Sequence, residues 1–186
     1  MGSHTKLNQN PLLDYRSKVD DAWYTVDKLI FSKKNNSLTV RYVEFDEDDN
    51  EIFNLKDFKT IKELDEFINR FRPTCVQVQD GECYRLRRGS NVCAALEKDD
   101  GDRRFYDGAI ESINRKPHRR ERGEERCSCR FVVGWLEGPN AWSTQEIGID
   151  GICQLQPGSP LFDQALASFV KLSRARIGLV SNDKVM

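Results

Sequence analysis

Two stretches of short predicted strands lie on either side of a helix signal, and this order limits the folds open to the chain. The first stretch predicts strands at 23–31 and 38–45, joined by the turn residues 33–37, and a third strand at 52–55. The second stretch predicts four further strands between 92 and 149, separated by Asp-, Gly- and Pro-containing turns. A meander of this size is too small to be stable alone. We therefore expect a mainly β protein with few helices, built as two small barrels of the SH3 or Tudor kind, each closed on itself to limit exposed edges.

Two helices are predicted beside these strands. Thr60 and Glu63 match a capping box, and the apolar residues after them recur at helical spacing until Pro73 stops the helix, which we expect to pack on the first meander. Ser159 and Pro160 supply an N-cap and a first-turn proline for a second helix. Its predicted buried face contains Leu161, Ala165, Phe169 and Leu172.

These elements divide the 186 residues into five segments. The expected segments are a flexible lead with a sequence typical of an expression scar (1–10), a first Tudor-like unit with its connecting helix (11–73), a second Tudor-like unit (74–157), a C-terminal helix (158–178) and a tail (179–186).

Composition and motif content argue against several classes of function. The net charge of −1 gives no overall attraction to nucleic acid, and no apolar run approaches the ~20 residues needed to cross a bilayer. No phosphate-binding glycine loop, dinucleotide fingerprint or zinc-protease motif is present. We therefore expect a soluble, non-secreted, non-enzymatic protein.

Cysteine usage predicts a metal site. Six cysteines occur in a chain without a secretion signal, which makes a disulfide framework a poor explanation. Cys83, His118, Cys127 and Cys129 can supply a tetrahedral Cys3His set, and a site filled by four protein ligands would be a structural zinc site. The alternative is that these are ordinary reduced cysteines. The other three, Cys75, Cys93 and Cys153, are expected to be buried.

Aromatic residues at the ends of the first two strands are candidates for binding a cation. Tyr24, Tyr42 and Phe45 could converge at one barrel mouth and hold a methylated ammonium through cation–π attraction, whereas Trp23 and Phe31 are expected in the core. The alternative is that all these rings are core residues. The acidic run 44–51 either is a solvated turn or attracts a basic partner.

Basic residues leave other functions open. Arginines cluster at 85–88 and 115–126, where they could contact nucleic-acid phosphates, although three glutamates accompany the second cluster. A further alternative is a protein-docking module that uses the C-terminal helix or apolar patches and binds no methylated ammonium.

Short motifs along residues 11–157 resemble the SAWADEE domain of plant chromatin proteins. The motifs are LDYRS at 13–17, DAWY at 21–24, RYVEFD at 41–46, GEC at 81–83, YDG at 106–108, RKPH at 115–118 and CSCRF at 127–131. The resemblance implies a tandem Tudor-like fold with a structural zinc ion held by Cys83, His118, Cys127 and Cys129. It also implies a methyl-lysine cage formed by Tyr24, Tyr42 and Phe45, with Asp14 contacting the peptide.

The same resemblance implies a function and a location. Members of this family read histone H3 methylated on its ninth-position lysine, so we expect a nuclear chromatin reader acting in RNA-directed DNA methylation or gene silencing. Expected partners are the histone H3 tail and, further, plant RNA polymerase IV or chromatin-remodelling subunits.

Overall fold

A computed structural model describes residues 12–98 and 101–183, the last three by their backbone alone, so the expected flexible lead at 1–10 lies outside the described residues. Within those ranges the chain forms thirteen strands and two α-helices, with a few short 3-10 turns. The strands are β1 Leu13–Arg16, β2 Trp23–Ser32, β3 Ser37–Tyr42, β4 Glu51–Asn54, β5 Phe71–Pro73, β6 Val76–Gln77, β7 Asn91–Glu97, β8 Arg103–Asn114, β9 Arg119–Glu121, β10 Glu124–Arg126, β11 Arg130–Trp135, β12 Thr144–Gly148 and β13 Ile152–Gln154. The helices are α1 Ile61–Ile68 and α2 Gln164–Asp183.

The first unit is an antiparallel sheet in the order β5-β1-β2-β3-β4. Alternate residues of β3, namely Leu38, Val40 and Tyr42, point into its core, as the two-residue period of a strand requires. Helix α1 adds Leu64 and Phe67 to the same core, so it packs on the first meander as expected.

Helix α1 is shorter than the sequence pattern predicted. Its capping box forms, because the Thr60 hydroxyl accepts from the Glu63 N–H and the Glu63 carboxylate accepts from the Thr60 N–H. The helix nevertheless ends at Ile68, and Phe71 opens strand β5, which pairs with β1. Phe71 is therefore a buried strand residue, and strand pairing rather than Pro73 determines where the helix stops.

Helix α2 belongs to the first unit, although it follows the second unit in sequence. Its buried residues join the first core together with strand residues of β2 and β3. They are Leu166, Phe169, Val170, Ser173 and Ile177. Of the predicted face, Phe169 is buried and Leu161 and Ala165 pack half-buried on the first core, whereas Leu172 is 39% exposed.

The ends of α2 also differ from the prediction. Ser159 caps only a short 3-10 turn at Pro160–Phe162, and Asp163 accepts the hydrogen bond from the Leu166 N–H at 3.0 Å at the start of the long helix. The helix continues to Asp183, five residues past the expected end at Gly178. No helix among the described residues has the length and apolar character that a membrane span needs.

The second unit is an antiparallel sheet in the order β6-β13-β7-β8-β11-β12, with β9 and β10 forming a separate hairpin. Its core contains Tyr106, Phe131, Val133 and Trp135, all essentially buried. Gly108 of β8 lies against β11 so closely that a Cβ atom there would come within 2.9 Å of the Gly134 carbonyl oxygen.

One strand contact and a stacked arginine connect the units. Strands β2 and β8 meet at Trp23 and Phe105. The Arg72 guanidinium lies 3.6 Å from the centroid of the Trp23 ring and pairs with Asp107 at 2.8 Å.

In the first unit the chain returns to its first strand, because β5 pairs with β1, and the long strand β2 is shared between β1 and β3. Within the described residues the edge strands β4 and β5 do not pair with each other, and helices α1 and α2 cover the core of this unit.

Candidate functional site: a ring pocket and a thiol cluster

Tyr24, Tyr42 and Phe45 meet around one pocket, which we call the ring pocket. Their ring centroids are 5.1–5.8 Å apart, and each pair of ring planes is inclined by 64–80°. The pocket has a volume of about 130 Å³ and is also lined by Ser17, Val19, Asp20, Asp49 and Glu51. Because the centroids are this close together, one cation in the pocket can lie within the ~6 Å range of cation–π attraction of all three rings.

Strand register brings these three rings together. Tyr24 is the second residue of β2, Tyr42 is the last residue of β3, and Phe45 lies in the bend just after β3. Tyr42 is 7% exposed and Phe45 is 43% exposed, so the pocket has a buried floor and an open mouth. Trp23 is buried at the junction and Phe31 packs against the first core, as expected for core residues.

Carboxylates fix the two tyrosine rings from behind. The Tyr24 hydroxyl donates to Asp20 at 2.6 Å, and the Tyr42 hydroxyl donates to Glu51 at 2.7 Å. Burial, followed by these acidic acceptors, raises the pKa of both phenols well above the usual range. Both rings therefore stay neutral and keep one orientation toward the pocket.

The segment 44–49, which contains the pocket residues Phe45 and Asp49 and which we call the acidic rim, carries uncompensated negative charge. Glu44, Asp46, Glu47, Asp48 and Asp49 are exposed, and none of them forms an ion pair with a lysine or arginine of the described chain. A field of this sign favours the approach of a basic ligand.

Asp14 lies outside the ring pocket. It is 6% exposed, and its carboxylate accepts from the Thr25 hydroxyl at 3.2 Å and from the Cys75 N–H at 2.9 Å. This carboxylate joins β1 to β2 and to the segment after β5. Its contact with a peptide stays a prediction, and Asp14 is not part of the proposed site.

The second feature is a thiol cluster formed by Cys83, His118, Cys127 and Cys129. Their ligand atoms all lie within 4.8 Å of one another. The His118 Nε2 atom is 3.1 Å from the Cys83 sulfur and 3.6 Å from the Cys129 sulfur. The fold therefore brings together, from three separate segments, the four residues that were predicted from the sequence as metal ligands.

Surrounding groups hold the ligands in place. Glu125, on hairpin strand β10, contacts the His118 Nδ1 atom at 2.6 Å and leaves Nε2 directed at the sulfurs. Arg115 donates to the carbonyls of Cys83 and Leu86, and Asp80 accepts from the Cys127 N–H. The contacts of Arg115 and Asp80 tie the charged loop 115–129 to residues 80–86, whereas the Glu125 contact lies within the loop.

The three thiols differ in acidity. Burial raises the pKa of Cys127 to about 12. Burial acts the same way on Cys129, but the Lys116 N–H, the His118 ring and the neighbouring thiols outweigh it and lower the pKa to about 7.

The donor set fits a metal ion. Three sulfurs and one imidazole nitrogen match a closed tetrahedral site, whose ligand atoms lie about 3.5–4 Å apart. A bound ion would hold four side chains and contribute folding free energy, with no ligand position left for a substrate.

The remaining three cysteines are not part of this cluster, and all six are free thiols. Cys93 is buried as expected, at 2% exposure, whereas Cys75 and Cys153 are only half-buried. Pairing of β7 with β13 places Cys93 opposite Cys153.

A larger groove of about 610 Å³ lies between β2 and residues 162–165. Its lining of Leu12, Val26, Leu29, Phe162 and neighbouring residues brings together no metal-ligating cluster and no set of aromatic walls, so the smaller ring pocket is the better candidate site.

Two joined antiparallel sheets, a cysteine–histidine cluster that could hold a metal ion and an aromatic pocket define a small binding module. The SAWADEE domain model matches residues 9–153, and the chain belongs to the SAWADEE domain family. This is a chromatin-reader family and not an enzyme family, in agreement with the expectation from motif content.

Solved structures agree with this assignment. The chain is similar to the SAWADEE domain of Arabidopsis thaliana SHH1, in a selenium-substituted double-mutant crystal structure and in a complex with an H3K9me3 peptide. Each match has 24% identity and a TM-score of 0.59, covering 80% of this chain and 98% of the other. The likeness confirms the predicted mainly β, tandem Tudor-like fold class. A search of curated proteins found no match.

Sequence reasoning missed the groups that support both sites. Glu51 and Asp20 were not singled out, because only the fold brings their carboxylates to the tyrosine hydroxyls. The contact of Glu125 with His118 was also not predicted, because Glu125 lies in the charged stretch after Pro117, which resembled an insertion. Its position seven residues after His118, across a turn at Arg122-Gly123, was the available signal for a hairpin that returns to the histidine.

Proposed function

We propose that the chain is a nuclear chromatin reader that binds a methylated lysine of the histone H3 tail in the ring pocket. The observation that carries this proposal is the meeting of Tyr24, Tyr42 and Phe45 at steep mutual angles around an open pocket. A methylated ammonium is attracted by ring faces and gains apolar contact for its methyl groups. The related domain was crystallised with an H3K9me3 peptide, which supports the ninth-position lysine as the target.

The acidic rim has a complementary role in this proposal. Histone tails are rich in Lys and Arg, so the five unpaired carboxylates of the acidic rim increase the rate of encounter with such a tail and disfavour acidic partners. Because a reader of this size buries little surface, we expect micromolar affinity for the peptide. This affinity corresponds to a binding free energy of about −8 kcal/mol. Silencing through RNA-directed DNA methylation, with RNA polymerase IV or remodelling subunits as further partners, is the setting that the family suggests.

The cysteine–histidine cluster has a structural role in this proposal, with zinc as the ion. The ligand chemistry supports zinc, because three thiolates with one imidazole form a closed site of the kind that zinc prefers.

The contacts of the basic residues do not favour the nucleic-acid alternative. Arg115 donates to two backbone carbonyls, Arg126 pairs with Glu124, and Arg85 pairs with Glu82. Helix α2, considered as a docking element, already uses its apolar face in the first core.

Isothermal titration calorimetry of matched variants tests the proposal. The wild-type chain should bind an H3 peptide methylated at the ninth-position lysine at least about tenfold tighter than the unmodified peptide, because aromatic contacts contribute a few kcal/mol together. Phe45→Ala should lose this preference and keep its fold, since Phe45 is 43% exposed.

Phe162→Ala is the control, because Phe162 is 39% exposed and lies away from the ring pocket. Full selectivity in Phe45→Ala would refute the ring pocket as the binding site.

A further inference from the structure

Glu51 has an unusual position for a carboxylate, at the floor of the ring pocket. It opens strand β4 and pairs with Val40, whose side chain shares the inward face of β3 with Tyr42. Its carboxylate accepts from Tyr15 at 3.2 Å, Ser17 at 2.7 Å and Tyr42 at 2.7 Å. The Tyr15 and Ser17 side chains are almost fully buried, so the carboxylate lies at the closed end of the pocket.

The other carboxylates that line the pocket are arranged differently. Asp20 is neutralised, because it pairs with Arg104 at 2.7 Å and also accepts from the Tyr24 hydroxyl. Asp49 is exposed, at the mouth. Glu51 receives only neutral hydroxyl donors, and no lysine or arginine nitrogen in the described ranges lies within ion-pair distance of it.

We propose that Glu51 makes the ring pocket select mono- or dimethyl-lysine over trimethyl-lysine. This inference rests on the proposed function. A mono- or dimethylammonium keeps an N–H that can donate a charge-assisted hydrogen bond to the carboxylate. A trimethylammonium has no N–H, and its third methyl group removes water from the carboxylate without replacing the lost hydrogen bond.

Calorimetric titration with four H3 peptides, carrying zero to three methyl groups on the ninth-position lysine, tests the inference. The wild-type chain should bind the mono- or dimethyl peptide about tenfold tighter than the trimethyl peptide. Glu51→Gln keeps a hydrogen-bond acceptor for the three hydroxyls but removes the charge, so the difference should fall to within about threefold. Thermal unfolding of the variant checks that it folds.

Asp49→Asn is the matched control, because it removes the same charge from the exposed mouth. It should weaken all methylated peptides alike and leave their ratio unchanged. Binding of all methylation states with equal affinity by the wild-type chain, or an unchanged ratio in folded Glu51→Gln, overturns the role of Glu51 and leaves the reader function standing. Failure of the wild-type chain to bind any methylated peptide overturns both the role of Glu51 and the reader function. The ratio of the wild-type affinities for the four peptides is measured without any variant, so it tests the inference even where a variant fails to fold.

Discussion

At the scale of single residues, Tyr42 has two roles, one in the ring pocket and one in the first core, and a single substitution affects both. Its ring forms one wall of the pocket, while its 7% exposure and its contacts with Tyr15 make it part of the first core. A substitution that removes the ring therefore disturbs stability as well as the site.

We expect Tyr42→Ala to lower the free energy of unfolding by about 3 kcal/mol, because it leaves a cavity beside buried aromatic rings. Tyr42→Phe should cost only about 1 kcal/mol, because it removes one hydrogen bond to Glu51 and keeps the ring. Urea unfolding measures both values. Equal stability of Tyr42→Ala and the wild-type chain would contradict the burial of this ring.

The residue types of both candidate sites could be predicted from the sequence, and the fold brings each set together. Aromatic residues at strand ends and a Cys-x-Cys pair with a nearby histidine are visible in one dimension. Their partners are not, because Glu51 and Asp20 reach the rings only through strand register. The roles of these residues in binding peptide and zinc remain predictions.

At the scale of elements, α2 is the clearest departure from the sequence-based expectation. Its position after the second unit suggested a separate segment, yet long-range packing assigns it to the first core. Periodicity predicted the helix and most of its buried face correctly but included Leu172 in place of Val170, because both are apolar and only tertiary contact distinguishes them.

A pair of truncations separates the two faces of α2. Phe169→Ala should lower the free energy of unfolding by about 3–5 kcal/mol, because Phe169 is fully buried against Phe31, Phe58 and Phe67. Leu172→Ala should cost less than about 1 kcal/mol, because Leu172 is 39% exposed. Chemical denaturation followed by circular dichroism gives both values. A larger loss for Leu172→Ala than for Phe169→Ala would contradict the exposed position of Leu172.

At the scale of the whole molecule, each unit covers its core by a different means. The first uses two helices, and the second uses a loop-rich segment in which few side chains are apolar. The thiol cluster ties that segment together, since Cys83, His118 and the Cys127–Cys129 pair come from distant parts of the chain. The two cores were predictable from strand patterns, but the pairing of β5 with β1 was not, because no local pattern encodes pairing between distant segments.

We expect one zinc ion per chain in protein purified without chelator. Cys127→Ser should remove the ion and increase hydrogen exchange in β11 and β8 much more than in β3, because the cluster supports only the second unit. Cys153→Ser is the control, since Cys153 lies outside the cluster. Absence of metal from the wild-type chain, or equal exchange in both units after Cys127→Ser, would argue against a structural zinc site.

The most direct measurement of the central claim is the proton NMR signal of the lysine N-methyl groups in a methylated H3 peptide bound to the chain. Ring faces shield protons that lie above them, so enclosure by Tyr24, Tyr42 and Phe45 predicts a strong upfield shift and cross-relaxation to protons of all three rings. A bound peptide whose methyl signal stays at its free position would contradict recognition in the ring pocket.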